Sequence, residues 1–172
     1  MLQLSIGALV CCASFAQTPL RPGELRLSIV ADDAVALGAN LVPNAGFEAV
    51  EGNQPEGWAF APRNTDATFE VVPDGRHGGQ AVLITNSTPH GAHVYGQLTL
   101  TGGIALEPGE TYTLSCYVKS DGPGRSWIGG GDGWWMRLNF TSTGGEWKRF
   151  VKTFGARDGD KAFAVMVNTD SP

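Results

Sequence analysis

From Asn40 onward apolar residues recur at every second position in short runs, and nowhere at sustained helical spacing. In TYTLSCYVKS, residues 111–120, Tyr112, Leu114, Cys116 and Val118 share one face, while Thr113, Ser115, Tyr117 and Lys119 share the other. Residues 93–100 alternate in the same way, with Val94, Gly96, Leu98 and Leu100 opposed to His93, Tyr95, Gln97 and Thr99. GWWMRLNF sorts into an apolar set, Trp134, Met136, Leu138 and Phe140, and an opposite set, Trp135, Arg137, Asn139 and Thr141. A bulge in the glycines before it would shift the register by one and exchange the two tryptophans. AFAVMVN sets Phe163, Val165 and Val167 against Ala164, Met166 and Asn168, whose smaller members leave room for a ligand. Residues 147–154 break the pattern by opposing Trp147 to Phe150 and Phe154, which predicts a bulge or a tryptophan packed at a sandwich end.

Turn signals separate these runs at short intervals, among them Pro43-Asn44, Pro73-Asp74-Gly75, Pro108-Gly109 and Gly144-Gly145. Many short strands so spaced predict an all-β sandwich or barrel. The 172 residues suffice for one domain, and 24 glycines with 10 prolines agree with a turn-rich β fold. The formal charge is -5 and the basic residues are scattered, so nucleic acid is not an expected partner.

MLQLSIGALVCCASFAQ is an apolar run of leader length ending in Ser14-Phe15-Ala16, which predicts a signal peptide at 1–16 and a secreted, extracellular, cell-surface or periplasmic location. The run is short for a membrane span, so no membrane association is expected once it is removed. Residues 17–39 read as a linker or peripheral strand, with Leu25, Leu27 and Ile29 on one face. Cys116 is then the one cysteine left, on an apolar face, where it reads as a small buried hydrophobe.

Aromatic rings beside amide and guanidinium groups suit a sugar, whose C–H surface packs on a ring while its hydroxyls take hydrogen bonds. The polar strand faces supply such a set: Trp135, Tyr117, Tyr95, Arg137, Asn139 and Gln97. The competing reading makes these rings rim residues or places them under a loop, which turns the chain into a structural or protein-interaction module. The segment GGGDG, 129–133, reads as a loop beside the site, and Trp147, Trp58 and Phe47 as structural. No HExxH, CxxC, GxxxxGK or GxSxG pattern is present, and no catalytic cofactor is expected.

Four ordered segments resemble the family 4/9 carbohydrate-binding modules: NLVPNAGFEAVEGNQPEGW at 40–58, DGRHGGQAVLIT at 74–85, LEPGETYTLSCYVKSDG at 106–122 and GGEWKRFVKTF at 144–154. The resemblance implies a galactose-binding-like jelly-roll β-sandwich of two antiparallel sheets over 40–172, lacking its closing strand. It implies a polysaccharide or oligosaccharide ligand, and no catalysis by this fragment. It also implies an attached glycoside hydrolase or lyase domain beyond residue 172. A structural calcium ion is common in such modules, and Glu48 is the residue the resemblance offers as its ligand.

Overall fold

The computed structural model describes residues 24–28, 39–76, 79–89, 91–121, 126–158 and 166–169, with backbone alone for Ser28, Asp132 and 166–169. The leader expected at 1–16, His77, His90 and the faces of Phe163 and Val165 lie outside the described residues.

The chain is an all-β sandwich. Its strands are β1 (Glu24–Ser28), β2 (Val50–Glu51), β3 (Gln54–Pro55), β4 (Trp58–Arg63), β5 (Thr68–Val72) and β6 (Ala81–Thr85). They continue with β7 (Tyr95–Leu100), β8 (Thr111–Ser120), β9 (Ser126–Gly130), β10 (Met136–Phe140), β11 (Lys148–Gly155) and β12 (Met166–Thr169). One antiparallel sheet runs β11-β8-β1-β6-β5 and the other β10-β9-β12-β7-β4, while β2 and β3 form a separate hairpin.

Period-2 alternation fills the space between the sheets. Leu114, Cys116 and Val118 from β8 meet Leu98 and Leu100 from β7, with Ile128, Met136 and Phe140 from the β9–β10 pair. Aromatic pairs join the two sheets along both margins: Phe60 with Phe69 on one side (5.2 Å between ring centres), Phe140 with Phe150 on the other (5.2 Å). Phe47 is fully buried and meets Trp58 edge-on at 5.3 Å, as expected of two structural rings. Burial pushes the Cys116 thiol far up from its ordinary range, so it stays protonated and inert.

The structure corrects one expectation and clarifies another. Residues 24–28, read as linker or peripheral strand, occupy the centre of the first sheet, with β6 on one side and β8 on the other. Leu25 and Leu27 enter the core, whereas Arg26 on the outer face is buried in an ion pair with Asp74, which also lies 3.5 Å from Lys119. Burial and the neighbouring Arg26 guanidinium hold the Lys119 ammonium below its usual range, and Glu146 partly counters them. The irregularity expected at 147–154 is also resolved. Phe150 and Phe154 pair with Cys116 and Tyr112 and face inward, while Trp147 precedes the strand and escapes the alternation.

At one end of the sandwich Asp66 fastens the segment after β6 to the segment after β4. Its carboxylate accepts from the backbone N–H of Ser87 (3.1 Å) and Thr88 (3.0 Å) and from both hydroxyls. These bonds, led by the Ser87 hydroxyl, hold its pKa well below the ordinary 3.8. A carboxyl with a depressed folded pKa contributes its full stabilisation above the unfolded value and loses it as pH falls toward the folded one. Acid titration of the melting temperature should therefore show a decline below about pH 4, and Asp66→Asn should flatten that decline; an identical acid limb in the variant would show that other carboxylates carry it.

Candidate functional site

The outward face of the second sheet gathers polar and aromatic side chains in rows fixed by strand register. Asn139 on β10 pairs with Trp127 on β9; Trp127 pairs with Asn168 on β12, Asn168 with Gln97 on β7, and Gln97 with Ala61 on β4. Directly paired residues point to the same side of a sheet, so this row crosses all five strands. The next row holds Arg137, Gly129, Met166, Thr99 and Ala59, and two residues past the central row on the far side Tyr95 pairs with Arg63. Asn139, Arg137, Ala61 and Arg63 are exposed, Tyr95, Gln97 and Thr99 are half-buried, and Trp127 is 9% exposed.

Contacts within the face set its geometry. The Gln97 side-chain amide donates to the Thr99 hydroxyl at 2.9 Å. The Arg137 guanidinium lies over the Trp127 ring, 4.8 Å from its centre, and its Nε donates to the Trp134 carbonyl at 3.1 Å. Trp134 leans against Trp127 with ring centres 5.7 Å apart. Arg63 repeats the arrangement at the other margin: it donates to the Tyr95 hydroxyl at 3.1 Å, with its guanidinium 5.9 Å from the ring centre. Lys152 reaches across from β11 and donates to the Arg137 carbonyl at 2.9 Å.

Of the residues selected from the sequence, Tyr95, Gln97, Arg137 and Asn139 are brought onto this one face. Tyr117 is not. It belongs to β8 in the other sheet, pairs with Arg149, and carries the Arg76 guanidinium 5.0 Å from its ring centre. Period-2 reading gives the side of a strand but not the sheet that strand joins, and the two outward faces lie on opposite sides of the sandwich.

Trp135 also leaves the expected face. A 3₁₀ turn at Asp132–Trp134 intervenes before β10, which begins only at Met136. Trp134 takes a left-handed φ of 59° and joins Trp127, while Trp135 packs against the core, edge-on to Phe154 at 5.6 Å and beneath the Arg157 guanidinium at 3.9 Å. The two tryptophans have exchanged the roles first read for them, although Met136 and Phe140 keep theirs in the core. Gly131 permits the turn: its φ is 82°, and a Cβ there would lie 2.1 Å from Trp135 Nε1.

Trp127 is the residue that sequence reading passed over. The signal was present in SWIGG, where Trp127 alternates with Ile128, but the glycines made the segment look like a loop. They serve a strand instead. At Gly129 a Cβ would come within 2.0 Å of the Met136 carbonyl, so this position of β9 admits only glycine beside β10.

Glu48 acts as a clasp. Its Oε1 accepts the Gln80 backbone N–H at 2.9 Å, and its backbone carbonyl accepts from the Gln80 side-chain amide at 3.4 Å. Among the described residues no three His, Cys, Asp or Glu side chains converge.

A family model described as a carbohydrate binding domain matches residues 39–172. No curated protein matches the chain. Among solved structures, the enzymatically active domain of tailspike protein 4 of bacteriophage CBA120 is similar in fold, with a TM-score of 0.50 and 16% sequence identity over 79% of this chain. The match spans 22% of that tailspike chain. With the four sequence segments set in a two-sheet sandwich and the family model covering most of its length, the chain belongs to the carbohydrate binding domain family.

Proposed function

We propose that the outward face of the β10-β9-β12-β7-β4 sheet is the glycan-binding surface, and that the chain is a non-catalytic anchor holding an attached glycoside hydrolase or lyase against polysaccharide outside the cytoplasm. One observation carries the reading: the row running from Asn139 through Trp127 and Gln97 to Ala61 sets a ring at its interior, with the Asn139 amide on one side and the Gln97 amide on the other. A polar row with a ring inside it suits a polymer that lies across the strands. Tyr95 and Arg63 extend it at one end and Arg137 at the other.

The expected affinity is modest. A fully open ring face covers about 100 Å² of sugar, worth at most about 2.5 kcal/mol at ~25 cal/mol/Å², and Trp127, 9% exposed beneath Arg137, offers a fraction of that. Such contacts and a few hydrogen bonds of about 1 kcal/mol each work against an association cost of roughly 4–15 kcal/mol. Dissociation constants from about a micromolar to a millimolar follow, enough for a module whose task is to raise local concentration.

Affinity electrophoresis on gels containing soluble β-glucans, xylans, galactans and acidic polysaccharides tests the proposal. Retardation by at least one polymer, reversed by its free oligosaccharide, is expected. Retardation by none would instead favour a protein-interaction module.

A further inference from the structure

We infer that the glycan taken by this face is anionic, carrying carboxylate or sulfate groups along its chain; the inference rests on the binding surface proposed above and adds the charge class of its ligand. The rings on this face are not bare. Arg137 covers Trp127 and Arg63 stands over Tyr95, so at both ends the group offered to solvent is a guanidinium on an aromatic support. Stacking fixes the plane of a guanidinium and leaves its edge N–H groups pointing outward, the geometry that accepts a carboxylate or sulfate through two parallel hydrogen bonds. Arg137 spends Nε on the Trp134 carbonyl and Arg63 spends one N–H on the Tyr95 hydroxyl, and neither has an acidic partner among the described residues.

The surrounding charge agrees. The whole chain carries a formal charge of -5, yet the five strands of this sheet contain Arg63 and Arg137 and no Asp or Glu. Lys152 adds a third cation beside Arg137. Asp66, close after Arg63 in sequence, has its carboxylate engaged by Ser87 and Thr88.

The spacing argues for a polymer over a small anion. The Arg137 row runs through Gly129, Met166 and Thr99 to Ala59, on the same strand as Arg63. Crossing five strands takes about 19 Å and the offset along β4 about 13 Å, so the two guanidinium supports lie at diagonal corners roughly 20 Å or more apart. A chain of several sugars bearing repeated negative groups reaches both at once, and a neutral chain leaves both guanidinium edges without a ligand.

The test is a set of binding isotherms on the full chain with polygalacturonate, a sulfated galactan, a neutral galactan and polyglutamate, each in low salt and in 0.5 M NaCl. At least one anionic polysaccharide should bind at least about tenfold more tightly than the neutral one, and should weaken sharply in high salt, where screening shortens to a few ångströms. Arg137→Gln and Arg63→Gln should each weaken it by about tenfold, with Arg137→Lys recovering part of the loss because it restores charge without the fork. Preference for polygalacturonate assigns carboxylate as the recognised group, and preference for the sulfated galactan assigns sulfate. Binding of the neutral galactan alone, or as tightly as the anionic polymers, would overturn the charge inference and leave the binding surface standing. Equal binding of polyglutamate, or arginine variants with unchanged affinity and unchanged melting temperature, would overturn it as well. Binding of no glycan would overturn the surface itself.

Discussion

A chain beginning at residue 39, where the family match begins, is expected to lose its cooperative thermal transition. Strand β1 lies in the middle of the first sheet, in register with β6 through Leu25↔Ile84 and Leu27↔Val82 and with β8 through Leu25↔Ser120 and Leu27↔Val118. Removing it takes out two buried leucines, each worth about 2–3 kcal/mol. Ladder bonds on both flanks go as well, at about 1 kcal/mol net apiece. It also opens a slot between two strands whose inner faces are apolar and strips Asp74 of Arg26. The total is comparable to or larger than the roughly 5–15 kcal/mol that stabilises a domain. Leu27→Asp in the full chain should act in the same direction, since Leu27 is fully buried. Differential scanning calorimetry checks both; a chain from residue 39 that melts cooperatively within a few degrees of the full chain would show that the β6 and β8 edges can close on one another.

Trp127→Ala should weaken glycan binding by about tenfold or more, because it removes the support that orients Arg137. Trp127 is 9% exposed and lies under Arg137, so the effect comes chiefly from leaving Arg137 and Trp134 without the surface they rest on. Some melting temperature is lost for the same reason, so Trp127→Phe, which keeps a smaller ring, should recover part of both. Tyr117→Ala should leave affinity unchanged, because Tyr117 faces outward from the opposite sheet. Isothermal titration with a polymer that retards the wild-type chain separates these variants. Equal loss in Trp127→Ala and Tyr117→Ala would mean that the ligand wraps the sandwich or acts through the fold.

What could be read from the sequence depended on the range of the interaction involved. Alternation within a strand is local, so the core residues of β7, β8 and β10 were legible, with Arg137, Asn139, Gln97 and Tyr95 on their outward sides. Sheet membership is not local. Nothing in the order of residues 111–120 says that β8 pairs with β1 and β11 and not with β9, and that is why Tyr117 was grouped with residues of the other face. The same blindness hid the central place of Glu24–Ser28, whose pairing partners begin more than fifty residues away. Trp134 and Trp135 were misplaced for a different reason: a left-handed φ at a tryptophan is costly enough that no pattern rule anticipates it, and it is held by the contact of Trp134 with Trp127 and of Trp135 with Phe154. Glycine at 129 was read as flexibility, whereas it answers a need for close approach between two strands.

The central claim is that glycan lies across the β10-β9-β12-β7-β4 face, and the indole N–H groups report on it directly. In ¹⁵N-labelled protein titrated with an oligosaccharide of the retarding polymer, the Trp127 indole resonance and the side-chain amides of Asn139 and Gln97 are predicted to shift together and saturate with one dissociation constant, while the Trp58 indole and the amides around Tyr117 and Arg149 stay in place. Saturable shifts confined to Tyr117, Arg149 and their neighbours on β8 and β11, with Trp127 unmoved, would contradict the account.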